Sequence, residues 1–95
     1  MAAYIVVQVD VKDPVRYEEY RKMIQPTLET YGGRFLVRGG NAKNLEGGWL
    51  PTRFVVIEFD SAERAEAWWS SEEYAPAKVL RQAAADTEMI LVEGA

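Results

Sequence analysis

The stretch from residue 32 to residue 59, GGRFLVRGGNAKNLEGGWLPTRFVVIEF, constrains the fold of this chain most. Two apolar segments, 35–37 and 54–57, flank a segment that contains two further Gly-Gly pairs and Pro51. Such an arrangement is typical of a β-hairpin whose loop is too long for a two-residue turn. The opening Gly32-Gly33 also predicts the end of a preceding helix, because glycine adopts the left-handed cap conformation without steric cost.

The residues before the hairpin predict one strand and one helix. In strand 4–11, alternate residues form an apolar face of Ile5, Val7, Val9 and Val11 and a mixed face of Tyr4, Val6, Gln8 and Asp10. Asp13 and Pro14 then have the residue types of an N-cap and a first helical position. An apolar stripe at helical spacing follows, at Tyr17, Tyr20, Ile24, Leu28 and Tyr31. Pro26 within this stripe predicts a kink.

The residues after the hairpin predict a second helix and a closing strand. Asp60 and Glu63 have the spacing of a capping box, with Ala65, Trp68 and Trp69 facing inward. Ser70-Ser71 interrupts the helical pattern. Ser70 with Glu73 predicts a second capping box, and Pro76 marks the start of regular helix up to about residue 85. Residues 88–93 predict the last strand.

The predicted order of elements is βαββαβ, which is typical of a ferredoxin-like α+β fold: a four-stranded antiparallel sheet with helices on one face. We expect residues 1–95 to form one such domain. The other face of the sheet would expose apolar side chains, namely Tyr4, Val6, Phe54 and Val56. Because an exposed apolar face of that extent is a liability, we predict a homodimer that pairs two such sheet faces.

The composition excludes several classes of function. The chain has neither histidine nor cysteine, so it cannot build a zinc site with nitrogen or sulfur ligands or a Ser-His-Asp relay. No carboxylate pair has metal-site spacing, and we expect neither a metal nor a cofactor. The net charge of −4 and the scattered basic residues argue against nucleic acid. No apolar run is long enough for a membrane span, and the first residues lack the charge and hydropathy pattern of a signal peptide. We therefore expect a cytoplasmic protein.

Several spaced motifs resemble a known family. They are GGRFLVRGG, then Glu46, Gly47, Trp49, Pro51 and Arg53, then VVIEF, and finally W-x-S-x-E-Y. Over nearly the whole chain they are similar to the bacterial family catalogued as domain of unknown function 1330. The resemblance implies a dimeric α/β barrel, in which two ferredoxin-like sheets pair. Members of that superfamily include cofactor-independent monooxygenases, isomerases and haem-degrading enzymes, and the resemblance by itself carries over no one activity.

Glu58 is the first candidate site residue, because it is a carboxylate in the middle of an apolar strand. Burial there would suit a general acid or base. The alternative is an ion pair with Arg38 or Arg53 inside the dimer interface. If Phe35 and Val37 pack under the helices, alternation along the first hairpin strand places Arg34, Leu36 and Arg38 on the same face as Glu58.

Two further groups are candidates for ligand binding. Trp49 in the glycine-rich loop could cover a pocket with Glu46 orienting a polar group; alternatively Trp49 covers an open edge and Glu46 caps loop amides. Tyr74 beside Arg81 would suit an anionic substrate; alternatively Tyr74 packs with its hydroxyl outward.

Three functions are compatible with the sequence. The first is a cofactor-independent, isomerase-like or monooxygenase-like enzyme that acts on a small anionic or aromatic compound. The second is a ligand-binding homodimer without catalysis, and the third is a structural or regulatory homodimer. The catalytic residues are not identified by the sequence.

Overall fold

A computed structural model describes residues 1–95 and contains four strands and three helices. Their bounds are β1 (Ala3–Val11), α1 (Pro14–Tyr31), β2 (Arg34–Arg38), β3 (Arg53–Phe59), α2 (Ala62–Trp69), α3 (Ala75–Ala84) and β4 (Ala85–Glu93). All neighbouring strands are antiparallel, in the spatial order β2-β3-β1-β4. The predicted ferredoxin-like α+β fold is confirmed. None of the helices combines the length and hydropathy that a membrane span requires.

Alternation along β1 and β3 divides the sheet into two faces. The helix-covered face holds the opposed pairs Ile5–Ile57 and Val7–Val55, all of them buried. The open face holds alternate residues of the same strands, among them Val6 and Val56 as an opposed pair. The predicted assignment of the two faces is therefore confirmed for β1 and β3.

Local sequence fixes both ends of α1 as predicted. The Asp13 carboxylate accepts a hydrogen bond from the Arg16 amide at 3.2 Å. Gly32 has φ +75° at the other end, and the Gly33 amide donates to the Leu28 carbonyl at 2.8 Å. The helix continues through Pro26 as one element.

The helical region after the hairpin differs from the prediction in its caps. Ser61, not Asp60, caps α2, and its hydroxyl accepts from the Arg64 amide at 3.2 Å. Asp60 lies one residue too early, with its carboxylate 3.5 Å from Arg34 Nη1.

The expected capping box of Ser70 and Glu73 does not form either. The Ser70 hydroxyl donates to the Glu66 carbonyl at 2.8 Å and so closes α2, while the Ser71 hydroxyl accepts from the Tyr74 amide at 3.1 Å. Pro76 lies in the first turn of α3, so its predicted role at the helix start is confirmed. Trp69 was expected to face inward, but it is 44% exposed and its ring lies 3.9 Å from Lys78 Nζ.

An irregularity in β2 changes which face its last residues occupy. Phe35 is opposite Ile57, whereas Val37 is opposite Val56, so the register shifts at Leu36 as in a β-bulge. Because of this shift, Arg38 lies opposite Val55, on the helix-covered face. The prediction from strict alternation, which placed Arg38 on the open face, is therefore wrong.

Candidate functional site

Arg81 is a buried cation without an acidic partner. It lies on the inner side of α3, and only 5% of its surface is exposed. Its Nε donates to the Tyr74 hydroxyl at 3.3 Å, and no carboxylate oxygen lies within 4.0 Å of its guanidinium. All ion pairs in the chain involve other cations: Lys12, Arg16, Arg21 and Arg34. Buried charges in proteins are normally paired, because desolvation of an unpaired charge is costly.

A hydrogen-bonded chain runs from Arg81 through Tyr74 to Tyr20. The two phenol oxygens are 2.9 Å apart, and both tyrosines are buried. The two hydroxyls bring two protons and their mutual hydrogen bond uses one, so the other is not used in this bond. Burial, followed by the neighbouring Tyr74, raises the pKa of Tyr20 well above its ordinary value of 10.0. At neutral pH, Tyr20 is therefore a hydrogen-bond donor rather than a base.

The core holds Tyr74 in this position. Its ring centroid lies 4.0 Å from that of Trp68, and the Trp68 indole donates to the Thr27 hydroxyl at 3.0 Å. Thr27 in turn donates to the Ile24 carbonyl at 2.6 Å. The alternative that Tyr74 points its hydroxyl outward is wrong, because the Tyr74 side chain lies in the core.

A groove of about 850 Å³ runs along the edge strand β4 and reaches Arg81. We call it the β4 groove. Its apolar lining comes mainly from the sheet and α2, and includes Ile5, Trp69, Met89 and Leu91. Four carboxylates also line it: those of Glu66, Asp86 and Glu88, which are exposed, and that of Asp10, which pairs with Lys12 at 2.8 Å. The groove thus offers an apolar surface, a buried guanidinium and an acidic rim.

The carboxylate of Glu58 lies on the open face and has a partner other than those predicted. Its Oε1 accepts from Arg34 Nε at 2.6 Å, with 19% of the Glu58 side chain and 52% of the Arg34 side chain exposed. An ion pair with Arg38 or Arg53 is excluded, because both of these arginines lie on the helix-covered face. Glu58 is therefore apart from Arg81 and Tyr74.

Trp49 also lies over the open face. Its indole Nε1 donates to Gln8 Oε1 at 2.6 Å, and its ring meets the Phe54 ring edge-on at a centroid distance of 6.0 Å. Glu46 in the same loop is exposed and makes no hydrogen bond or ion pair. The loop thus covers part of the sheet face opposite the helices.

The structure brings together only part of the predicted set. Tyr74 and Arg81 meet in one buried site, whereas Trp49 and Glu58 lie on the opposite face of the sheet. In the sequence, Tyr20 stands out only as part of the apolar stripe of α1. A buried tyrosine hydroxyl needs a partner, but that partner is 54 residues away in sequence. No group of three or more acidic residues converges so that it could hold a metal ion.

The sheet order, the helix-covered face and the buried site define a ferredoxin-like α+β protein. The chain belongs to the family described as Domain of unknown function (DUF1330), whose sequence profile matches residues 2–95. No curated protein matches the sequence significantly.

Solved structures with the same fold are distant in sequence. A protein of unknown function from Rhodopseudomonas palustris superposes with a TM-score of 0.81 and 19% identity, over 99% of this chain and 82% of its own. A dimeric ferredoxin-like protein of unknown function from Jannaschia sp. CCS1 superposes with a TM-score of 0.74 and 11% identity, over 99% of this chain and 100% of its own. SnoaB, a cofactor-independent oxygenase from Streptomyces nogalater, superposes with a TM-score of 0.61 and 14% identity, over 99% of this chain and 93% of its own. At these identities the comparisons establish the fold.

Proposed function

We propose that this protein is a homodimeric, cofactor-independent enzyme that binds a small organic anion on Arg81, at the inner end of the β4 groove. The observation behind the proposal is the buried guanidinium of Arg81, which has no carboxylate partner within the chain. A ligand carboxylate would supply the missing charge through bidentate hydrogen bonds to the guanidinium. The apolar lining of the groove suits an aromatic or aliphatic body on that ligand.

The enzymatic part of the proposal rests on the tyrosine pair. One phenolic proton of Tyr20 and Tyr74 is free to meet a ligand oxygen, where it would stabilise negative charge that develops during isomerase-like or monooxygenase-like chemistry. The structural likeness to a cofactor-independent oxygenase agrees with such a reaction.

The homodimer is supported by the apolar residues of the open face. Ile90 and Val92 of β4 are 59% and 42% exposed in the single chain, next to the half-buried Val6 and Tyr4. Pairing two open faces would cover these side chains, including Ile90 at the open-face side of the β4 groove, and would leave Arg81 on the other face, under the helices. The dimeric state of the Jannaschia protein agrees with a homodimer.

Arg81→Met tests the anion site, because it removes the charge and retains most of the volume. Replacing a buried charge by an apolar side chain is often neutral or stabilising. We therefore expect the variant to unfold at the same or a higher temperature than wild type in anion-free buffer. We also expect it to lose the thermal stabilisation that benzoate gives wild type. Arg16→Met, at an exposed arginine of α1, is the matched control and should keep the benzoate response.

The opposite pattern would overturn the anion site. If benzoate stabilised wild type and Arg81→Met equally, the ligand would not bind on the guanidinium. If benzoate had no effect on wild type and Arg81→Met unfolded far more easily, Arg81 would be a structural residue.

Tyr74→Phe separates an enzyme from a binding protein once a compound has been recovered from the purified dimer by native mass spectrometry. Loss of turnover with retained binding supports the enzyme, because the ring still fills its place beside Trp68. Reduced binding and no turnover in wild type would favour the non-catalytic ligand-binding homodimer.

A further inference from the structure

A second group of arginines lies beyond Arg81, on the side away from the β4 groove. Arg21, Arg38 and Arg53 line a small space between α1 and strands β2 and β3, which we call the arginine cleft. Arg81 and Met89 line both the arginine cleft and the β4 groove, so these two side chains stand between the two spaces.

The lining of the arginine cleft has four guanidinium groups and no carboxylate. Of the four, only Arg21 has an acidic partner, Glu18, at 3.2 Å on the outer side of α1. Nε of Arg21 and Nε of Arg53 are buried donors without an acceptor. Since buried donors are nearly always satisfied in proteins, these N–H groups need an acceptor, and an oxygen atom of a ligand in the cleft would serve as one.

Two backbone irregularities place these arginines. The β2 bulge at Leu36 turns Arg38 to the helix-covered face, where its guanidinium lies 4.3 Å from the Phe35 ring centroid. Gly39 has φ +70°, and a Cβ on it would collide with the Arg53 guanidinium, which packs against the glycine. The bulge thus sets the face on which Arg38 lies, and the glycine leaves room for the Arg53 guanidinium in its present position.

Charge determines where a second anionic group of a ligand would lie. The rim of the β4 groove carries Glu66, Asp86 and Glu88, which repel an anionic group at the outer end of the ligand. In the opposite direction, past Arg81, the guanidinium groups of the arginine cleft attract an anionic group. A ligand with its first anionic group on Arg81 therefore has a favourable place for a second group only in the cleft.

We propose that the ligand carries two anionic groups, with one bound by Arg81 and the other by Arg53 and Arg38 in the arginine cleft. This inference rests on the anion site proposed above and adds the class of ligand, a compact dicarboxylate or an equivalent dianion. The cleft now holds about 20 Å³, roughly the space of one water molecule. Binding thus requires side-chain rearrangement, and Met89, an unbranched and flexible side chain between the two spaces, is suited to it.

Calorimetric titration with matched acids tests the proposal. The monocarboxylates are benzoate and butyrate, and the dicarboxylates are isophthalate, glutarate and adipate, which differ in shape and span. We expect at least one dicarboxylate to bind wild type on the order of tenfold tighter than its monocarboxylate counterpart. The reason is that its second carboxylate adds charge-assisted hydrogen bonds to the arginines of the cleft. Arg53→Gln should remove this preference, so that the dicarboxylate and its monocarboxylate counterpart bind with similar affinity. Arg16→Gln, at an exposed arginine of the same chain, should retain the preference.

The outcomes separate this inference from the proposed function. If the monocarboxylates bind in an Arg81-dependent manner and no dicarboxylate binds tighter, the second subsite is wrong and the anion site stands. A dicarboxylate preference that persists in Arg53→Gln also overturns the subsite. If none of the acids binds, both the anion site and the subsite fail.

Discussion

The two faces of the sheet differ in which side chains lack a partner: charged ones on the helix-covered face and apolar ones on the open face. The helix-covered face has its apolar side chains buried, but the guanidinium groups of Arg38, Arg53 and Arg81 lack acidic partners there. On the open face the central charge is paired, as Glu58 with Arg34, but apolar side chains such as Ile90 stay exposed. A buried unpaired charge calls for a small ligand of opposite charge, whereas an uncovered apolar face calls for a protein surface. In the proposed homodimer, one sheet would thus separate the proposed anion site from the proposed assembly surface.

Trp68 and Trp69 give the largest expected contrast between core and surface. Trp68 is fully buried against Phe59 and Tyr74, so we expect Trp68→Ala to lower the free energy of unfolding by about 3–5 kcal/mol. Trp69→Ala should cost below about 1 kcal/mol, mainly through its contact with Lys78. Urea denaturation of both variants checks the pair.

Equal losses in the two tryptophan variants would contradict the separation of buried and exposed surface on α2. They would mean that Trp69 is covered in the assembled protein, for example by a partner chain.

Val56→Asp tests the open face as an assembly surface. Val56 lies on the central strand pair, opposite Val6, and a carboxylate there would be buried without a partner in the proposed homodimer. We expect dimerisation to weaken by at least about 2 kcal/mol, measured by analytical ultracentrifugation across a concentration series.

Val15→Asp is the control for this substitution, because Val15 is exposed on α1, away from the sheet. The open face would be excluded as the interface if both variants dimerised as wild type does. A monomeric wild-type protein would overturn the homodimer itself.

The sequence predicted the fold well because its patterns are local. Alternation in β1 and β3, the Asp13 cap and the Gly32 stop each follow from a few neighbouring residues, and each is found in the structure. The site was only partly predictable. Strict alternation could not anticipate the bulge at Leu36, so Arg38 was placed on the wrong face.

Two further features of the site depend on distant parts of the chain. The bond from Tyr20 to Tyr74 joins α1 to the start of α3, and no spacing along the sequence encodes it. Glu58 is recognisable in the sequence as an unusual charge, but the choice of Arg34 as partner depends on the strand register, which places these two residues opposite each other.

Glu58→Gln compares a paired charge with the unpaired charge of Arg81. The pair with Arg34 is partly exposed, so its loss should cost about 1 kcal/mol or less in the free energy of unfolding of the single chain. Arg81→Met is expected to leave the free energy of unfolding unchanged or to raise it, whereas Glu58→Gln is expected to lower it slightly. A double-mutant cycle with Arg34→Gln isolates the coupling energy between Glu58 and Arg34. A coupling energy near zero would mean that this ion pair does not stabilise the open face.

The proton of Tyr20 is expected to affect stability at alkaline pH alone. Because the pKa of Tyr20 is raised in the folded protein, the unfolded chain loses this proton first, near pH 10, and stability falls as pH rises further toward the folded-state pKa. Below pH 10 both states hold the proton and it adds no pH dependence.

Tyr20→Phe keeps the ring and removes this titration, so its stability should fall less steeply above pH 10, by up to about 1.4 kcal/mol per pH unit. Urea denaturation at a series of pH values gives both curves, and groups shared by the two proteins cancel in their difference. Parallel curves would mean that water reaches the Tyr20 hydroxyl in the folded state. The neighbouring Arg81 would then be hydrated too, and the proposed anion site would lose its physical basis.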